Sequence, residues 1–112
     1  MSNPAPLAQR KCIACSEGGP PLSAPECDTL LKELKAWEII DGRLVKTFAF
    51  RNYYETMAFV NTLAWVSHRE DHHPDLHVYY NKARVEYWTH EVNGFSENDF
   101  ICAAKADALM SF

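Results

Sequence analysis

The dipeptide Asp41-Gly42 narrows the folds open to this chain more than any other stretch. Both central positions of a tight two-residue hairpin need positive φ, which Asp-Gly adopts readily. It lies between two apolar-rich runs, residues 37–40 and 43–50, and so predicts an antiparallel pair of strands. A second pair of runs, 76–80 and 83–90, flanks Asn81-Lys82 and reads as a second hairpin. Alternation puts Leu44, Phe48 and Phe50 on one face of the first hairpin, with Lys46 between them. In the second, Val78 and Tyr80 share a face of the leading strand. Ala83, Val85, Tyr87 and Thr89 share a face of the return strand, with Glu86, Trp88 and His90 opposite.

Helical patterns separate the hairpins. Ser23-x-x-Glu26 has capping-box spacing, and Pro25 falls in the first turn, where a missing donor costs little. Leu30, Leu31 and Leu34 then share a face, which predicts a helix from Ser23 to about Lys35. Asn52 with Glu55 caps a longer pattern reaching about Arg69. Met57, Val60, Leu63, Ala64 and Ser67 form its apolar stripe, widened by Phe59 and Val66. Pro74 pushes His73 into extended geometry and ends that helix. Ser96-x-x-Asp99 opens a last helix, with Phe100, Ile101, Ala104 and Ala108 as its buried stripe. The order is α-β-β-α-β-β-α. It predicts an α+β fold, a four-stranded antiparallel sheet with three helices on one face.

Length and composition set the remaining bounds. At 112 residues the chain is one domain. Residues 1–22 hold Pro4, Pro6, Pro20, Pro21, Gly18 and Gly19 and read as a flexible N-terminal arm, with the domain over 23–112. A net charge of −4, with Lys and Arg scattered among acids, argues against a nucleic-acid surface. No apolar run approaches the roughly 18 residues of a membrane span, and the first residues lack the apolar core of a secretion signal. A cytoplasmic protein is expected. The uncovered sheet face suggests a homo-oligomer.

His72, His73 and His90 are the candidate catalytic residues. Imidazole ionises near neutral pH, so it can both take and give a proton there. His68, His72, His73 and His77 lie within ten residues, but no HExxH pattern occurs and Pro74 interrupts any helix joining His73 to His77. Cys12-x-x-Cys15 is half of a zinc-ribbon pattern with no second close pair, so reduced thiols and no metal are expected. Cys102 falls inside an apolar helical stripe and reads as a small buried residue rather than a nucleophile. No GxSxG or phosphate-binding loop is present. Acid–base chemistry without a covalent intermediate remains.

Residues 70–107 resemble the pterin-4a-carbinolamine dehydratase family. The resemblance rests on His72-His73-Pro74, Tyr80-Asn81 at the hairpin turn, Thr89-His90, and Gly94-Phe95-Ser96 through Asp99. The 12–21 segment and Trp37 with its Asp-Gly hairpin are also similar to bacterial members, so the resemblance extends over most of residues 11–110. Where animal members often place a glutamate four residues before HHP, this chain has His68. The resemblance implies the same α+β fold, dimers or tetramers, and no cofactor. The implied reaction is dehydration of 4a-hydroxytetrahydrobiopterin to quinonoid dihydropterin, which recycles the pterin of aromatic amino acid hydroxylases, notably phenylalanine hydroxylase. It further implies that His72, His73 and His90 line the pterin site, with His72 as the leading acid–base group. Thr89 joins the substrate-binding set. Asp99 is expected to hold His90 in its useful tautomer, Trp37 to pack on the flat pterin, and Asp71 to meet a polar ring edge. Animal members also act as dimerisation cofactors of a transcription factor, which makes a non-catalytic binding module the alternative.

Overall fold

The computed structural model describes residues 5–13 and 20–110. Three helices alternate with two hairpins: α1 (Ala24–Leu31), β1 (Glu38–Ile40), β2 (Arg43–Ala49), α2 (Tyr53–Glu70), β3 (Asp75–Val78), β4 (Lys82–Tyr87) and α3 (Glu97–Ala108). Two 3-10 turns, Leu7–Gln9 and His90–Val92, complete the order. The four strands form one sheet in the order β1-β2-β4-β3, every neighbour antiparallel. This is the expected α+β architecture.

Local chemistry sets the element ends. Asp41 and Gly42 take φ values of 50° and 75°, as the two-residue turn demands. Ser23 Oγ accepts from the Glu26 amide at 3.3 Å while Glu26 accepts from the Ser23 amide at 2.8 Å. Asn52 Oδ1 accepts from the Glu55 amide at 2.9 Å. α1 stops at Leu31, short of Lys35, and the chain then turns through Ala36 at φ 61°.

Register puts Leu44 opposite Tyr87, Lys46 opposite Val85 and Phe48 opposite Ala83. These positions, with Leu76, face the helices and build the core with Phe59, Leu63, Phe100 and Ala103. Lys46 sits on the same face because Asp107 of α3 and the Lys35 carbonyl take its ammonium, at 2.7 and 2.9 Å. The other face carries an ion network: Glu86 is approached by Arg84 at 2.7 Å, His77 at 3.4 Å and Arg43 at 3.8 Å.

Several details depart from the sequence reading. The second hairpin closes on the bond from the Tyr79 amide to the Lys82 carbonyl, so Tyr80-Asn81 form its turn, as the resemblance implies and one residue before the Asn81-Lys82 pair read from the apolar runs. β4 ends at Tyr87, and His90 opens a 3-10 turn instead of closing a strand. The buried stripe of α2 is Thr56, Phe59 and Leu63, whereas Ala64 is exposed. Thr56 tolerates burial because its hydroxyl donates to the Asn52 and Tyr80 carbonyls. In α3 the buried apolar set is Phe100, Ile101, Cys102, Ala103 and Ala106, with Ala108 exposed. Part of the expected arm is packed. Leu7 is 3% exposed, and residues 8–13 are held on α3 by Lys105 to the Ala8 carbonyl, Arg10 to Glu97, and paired bonds between Ile13 and Asn98. Cys15 lies outside the described residues.

Candidate active site

Asp99 is the centre of the site. It sits in the first turn of α3, fully buried, where N-terminal amides favour a negative charge. Its Oδ2 accepts from the Ser96 amide at 3.0 Å and from the Thr89 hydroxyl at 2.7 Å. Thr89 and Ser96 hydroxyls also bond each other at 2.8 Å. Its Oδ1 lies 2.7 Å from His72 Nε2. A buried carboxylate needs several partners to offset its lost hydration, and here four groups converge on it or on its donors.

The corner after α2 delivers His72. Asp71 takes the left-handed conformation at φ 52°, and the His72 amide donates back to the Ser67 carbonyl. That turn, with Pro74 beyond it, drops the His72 ring onto Tyr87, nearly parallel at 10° and 5.9 Å between centroids. The His72 side chain is 12% exposed. Burial pushes the Tyr87 phenol well above its ordinary range, so the ring beneath His72 stays neutral.

Thr89 is held by a two-bond bridge with Gly94, at 2.8 and 3.2 Å. That closes the loop carrying His90. Thr89 faces Asp99, and the rings of its neighbours Trp88 and His90 meet at a tilt of 42° with centroids 3.8 Å apart, with the Arg43 guanidinium 4.8 Å over the Trp88 ring. The predicted link between Asp99 and His90 is therefore corrected: Asp99 holds His72. The reason is the alternation of the chain at Thr89, which gives the carboxylate the threonine and leaves His90 to Trp88.

The structure thus joins His72, Asp99 and Thr89 directly. His73 is exposed, with Nδ1 3.3 Å from the Pro74 carbonyl, and makes no bond to the network among the described residues. His73 and His90 are each one covalent step from a network member. Asp71 is exposed and caps α2 through its backbone. Trp37 does not present a ring to a planar ligand: it is 5% exposed, packed against Phe48 and Tyr87, and its indole N–H donates to Asp107. Sequence reasoning missed Tyr87 as the platform under His72, although its place two residues before Thr89 put both on one face. Ser96 was visible as a cap whose amide reaches Asp99, but its hydroxyl was not visible as a partner of Thr89. The other histidines diverge, His77 to Glu86 and His68 onto Trp65. A cavity of about 580 Å³ lined by Phe50, Phe59, Thr62 and Leu109 contains no histidine.

Comparison with known proteins agrees with this fold. The family profile described as pterin 4 alpha carbinolamine dehydratase matches residues 20–109. A relative from Nitrosomonas eutropha, provisionally named as a pterin-4-alpha-carbinolamine dehydratase, is 59% identical over 111 residues, covering 98% of each chain. One from Dechloromonas aromatica with the same provisional name is 52% identical over 110 residues, again covering 98% of each. Among solved structures, a transcriptional coactivator/pterin dehydratase from Brucella melitensis superposes with a TM-score of 0.76 at 28% identity, over 80% of this chain and 97% of that one. A pterin dehydratase-like RuBisCO assembly factor of the alpha-carboxysome gives 0.59 at 27% identity, over 67% and 89%. The matched region encloses every member of the His72–Asp99–Thr89 chain, and the protein belongs to the pterin 4 alpha carbinolamine dehydratase family.

Proposed function

We propose that this protein dehydrates 4a-hydroxytetrahydrobiopterin to quinonoid dihydropterin, as a cytoplasmic hydro-lyase that returns pterin to aromatic amino acid hydroxylases such as phenylalanine hydroxylase. The observation that carries the reading is the 2.7 Å contact between His72 Nε2 and the buried Asp99 carboxylate. A carboxylate on one ring nitrogen fixes the tautomer and leaves the other nitrogen defined for proton transfer. Loss of water takes a proton from ring N5 and delivers one to the departing 4a-hydroxyl, and each positioned transfer contributes roughly 10²–10⁴-fold. His72 is the leading acid–base residue. His73 and His90, exposed at the ends of the two loops that flank the network, handle the hydroxyl or orient the ring. Asp71 meets a polar edge of the substrate, and Thr89 acts through Asp99. The pterin is the only small molecule the reaction requires. A homodimer or homotetramer is supported by the unpaired edge of β3 and by exposed aromatic side chains on α2.

The test is stopped-flow absorbance of enzymatically generated carbinolamine with His72→Ala. The variant keeps its fold and oligomer state and loses about 10²-fold or more in dehydration rate. An unchanged rate removes His72 from the chemistry. If the wild-type protein itself fails to accelerate dehydration, the reading gives way to a non-catalytic protein-binding module; a relative of this fold is named as a RuBisCO assembly factor.

A further inference from the structure

The reaction makes no use of the thiols, yet two of them meet behind the site. Cys12 Sγ and Cys102 Sγ are 3.5 Å apart although 90 positions separate them in the chain. Their meeting is built. The Cys12 amide donates to Glu70 at the end of α2 at 2.8 Å, and the next residue, Ile13, exchanges two bonds with the Asn98 side chain on α3. Cys102 lies one helical turn beyond Asp99, fully buried, with its sulfur 4.0 Å from the His72 carbonyl. Both are free thiols.

We infer that Cys12 and Cys102 form an oxidisable dithiol, converted by peroxide into a disulfide that locks residues 7–13 onto α3 beneath the His72 corner. A disulfide needs sulfurs at about 2.05 Å, a closure of about 1.5 Å that one side-chain adjustment in the less buried Cys12 can supply. Cys12 is the less buried of the two residues, so it attacks first. Its thiolate takes OH from hydrogen peroxide, the O–O bond breaks, and the hydroxide that leaves becomes water with the proton the Cys12 thiol gave up, leaving a sulfenic acid on Cys12. Cys102 then attacks that sulfur, the S–O bond breaks, and a second water leaves with the Cys102 proton. Two thiols are oxidised and one peroxide is reduced. The hydrogen bond to Cys12 first, and burial second, push the Cys102 thiol far above the ordinary range. Cys102 is fully buried and acts second, as the resolving group.

The experiment treats the full chain with hydrogen peroxide and maps its thiols by non-reducing digestion and intact mass. The expected product has lost two hydrogens, carries a Cys12–Cys102 cross-link reversed by dithiothreitol, and melts about 5 °C or more above the reduced form, because the closed loop spans most of the chain. Amides of residues 7–13 exchange more slowly in it. Cys15→Ser and Cys27→Ser keep the cross-link, whereas Cys12→Ser, at a site that is not fully buried, loses it without unfolding. A Cys12–Cys15 link, free thiols after treatment, sulfinic acids without a cross-link, or one equivalent of zinc released on thiol alkylation would each overturn the inference. None of these readouts depends on dehydratase activity.

Discussion

Asp99 distributes its two oxygens unequally, and that asymmetry makes a prediction. Oδ2 is taken by the Thr89 hydroxyl and the Ser96 amide, both donors in this geometry, while Oδ1 meets His72. In Asp99→Asn the amide oxygen must stay with those two donors, so the NH₂ group turns to His72. Nε2 then has to accept, and His72 is forced into the opposite tautomer. The dehydration rate should fall by about 10²-fold or more, the consequence of a wrong tautomer elsewhere. Stability should change by only about 1–2 kcal/mol, because three of the bonds can survive. Stopped-flow kinetics and thermal melting of the same sample separate the two effects. A rate within threefold of wild type would assign Asp99 to folding alone. The sequence carried half of this centre: Ser96-x-x-Asp99 places the carboxylate at a helix start by local spacing, and alternation in β4 sends Thr89 to the same side. It did not carry the partner. Whether His72 or His90 reaches Asp99 depends on how the corner after α2 docks on α3, a contact between segments 27 residues apart. Trp37 was misread for the same reason, since only the fold brings Asp107 to its indole nitrogen.

Among the elements, β4 does the most organising, because its two faces serve different ends. One face supplies Val85 and Tyr87 to the core and leads to Thr89. The other places Glu86 opposite Val45 and Asp75, among Arg84, His77 and Arg43. The hydrogen bond from Arg84 holds the Glu86 carboxyl below its ordinary range. Partial burial opposes this, and the charges of His77, Arg84 and Arg43 add to it. A carboxyl depressed in the folded state contributes stability above its unfolded pKa of about 4.3, and loses that contribution as pH falls through the folded value. Glu86→Gln should therefore be less stable than wild type by about 1–2 kcal/mol at pH 7. The gap should close as pH drops below about 4, as thermal melts across pH 3–7 would record; a gap constant with pH would place its origin in packing. Helix ends and the Asp41-Gly42 turn were readable because their causes are local. The face of α2 was readable in part: Phe59 and Leu63 are buried and Val60 packs against the core, while Ala64 is exposed. Thr56 is polar by type, and its burial draws on a carbonyl of Tyr80, from a distant hairpin, as well as on the local Asn52 carbonyl.

At the scale of the molecule, α2 has a second stripe that its own sheet does not use. Tyr54 and Trp65 are 11 residues apart, close to three full turns, so they stand on one side of the helix with Ala58 and Asn61 between them. Trp65 is 60% exposed and Tyr54 80%, while the opposite stripe of Thr56, Phe59 and Leu63 is buried. Large aromatics left open along a rigid helix are the side chains that anchor interfaces when a second surface covers them. The sheet's outer face is less suited to that use, because its centre is occupied by the ion network around Glu86, and rim charges contribute little to affinity. If the proposed homo-oligomer forms through α2, Trp65→Glu should raise its dissociation constant by about 10²-fold, the effect of truncating an anchor worth roughly 2–3 kcal/mol. Sedimentation velocity over a range of concentrations measures it. The variant's melting temperature as a dilute monomer should match wild type, since the substituted side chain is mostly exposed and its ring partner is the exposed His68. A wild-type protein that sediments as a single chain at all concentrations would refute the assembly. An oligomer indifferent to Trp65→Glu would shift the contact to the sheet edge at β3, where Asp75 and His77 already face the neighbouring Glu86 and Arg84.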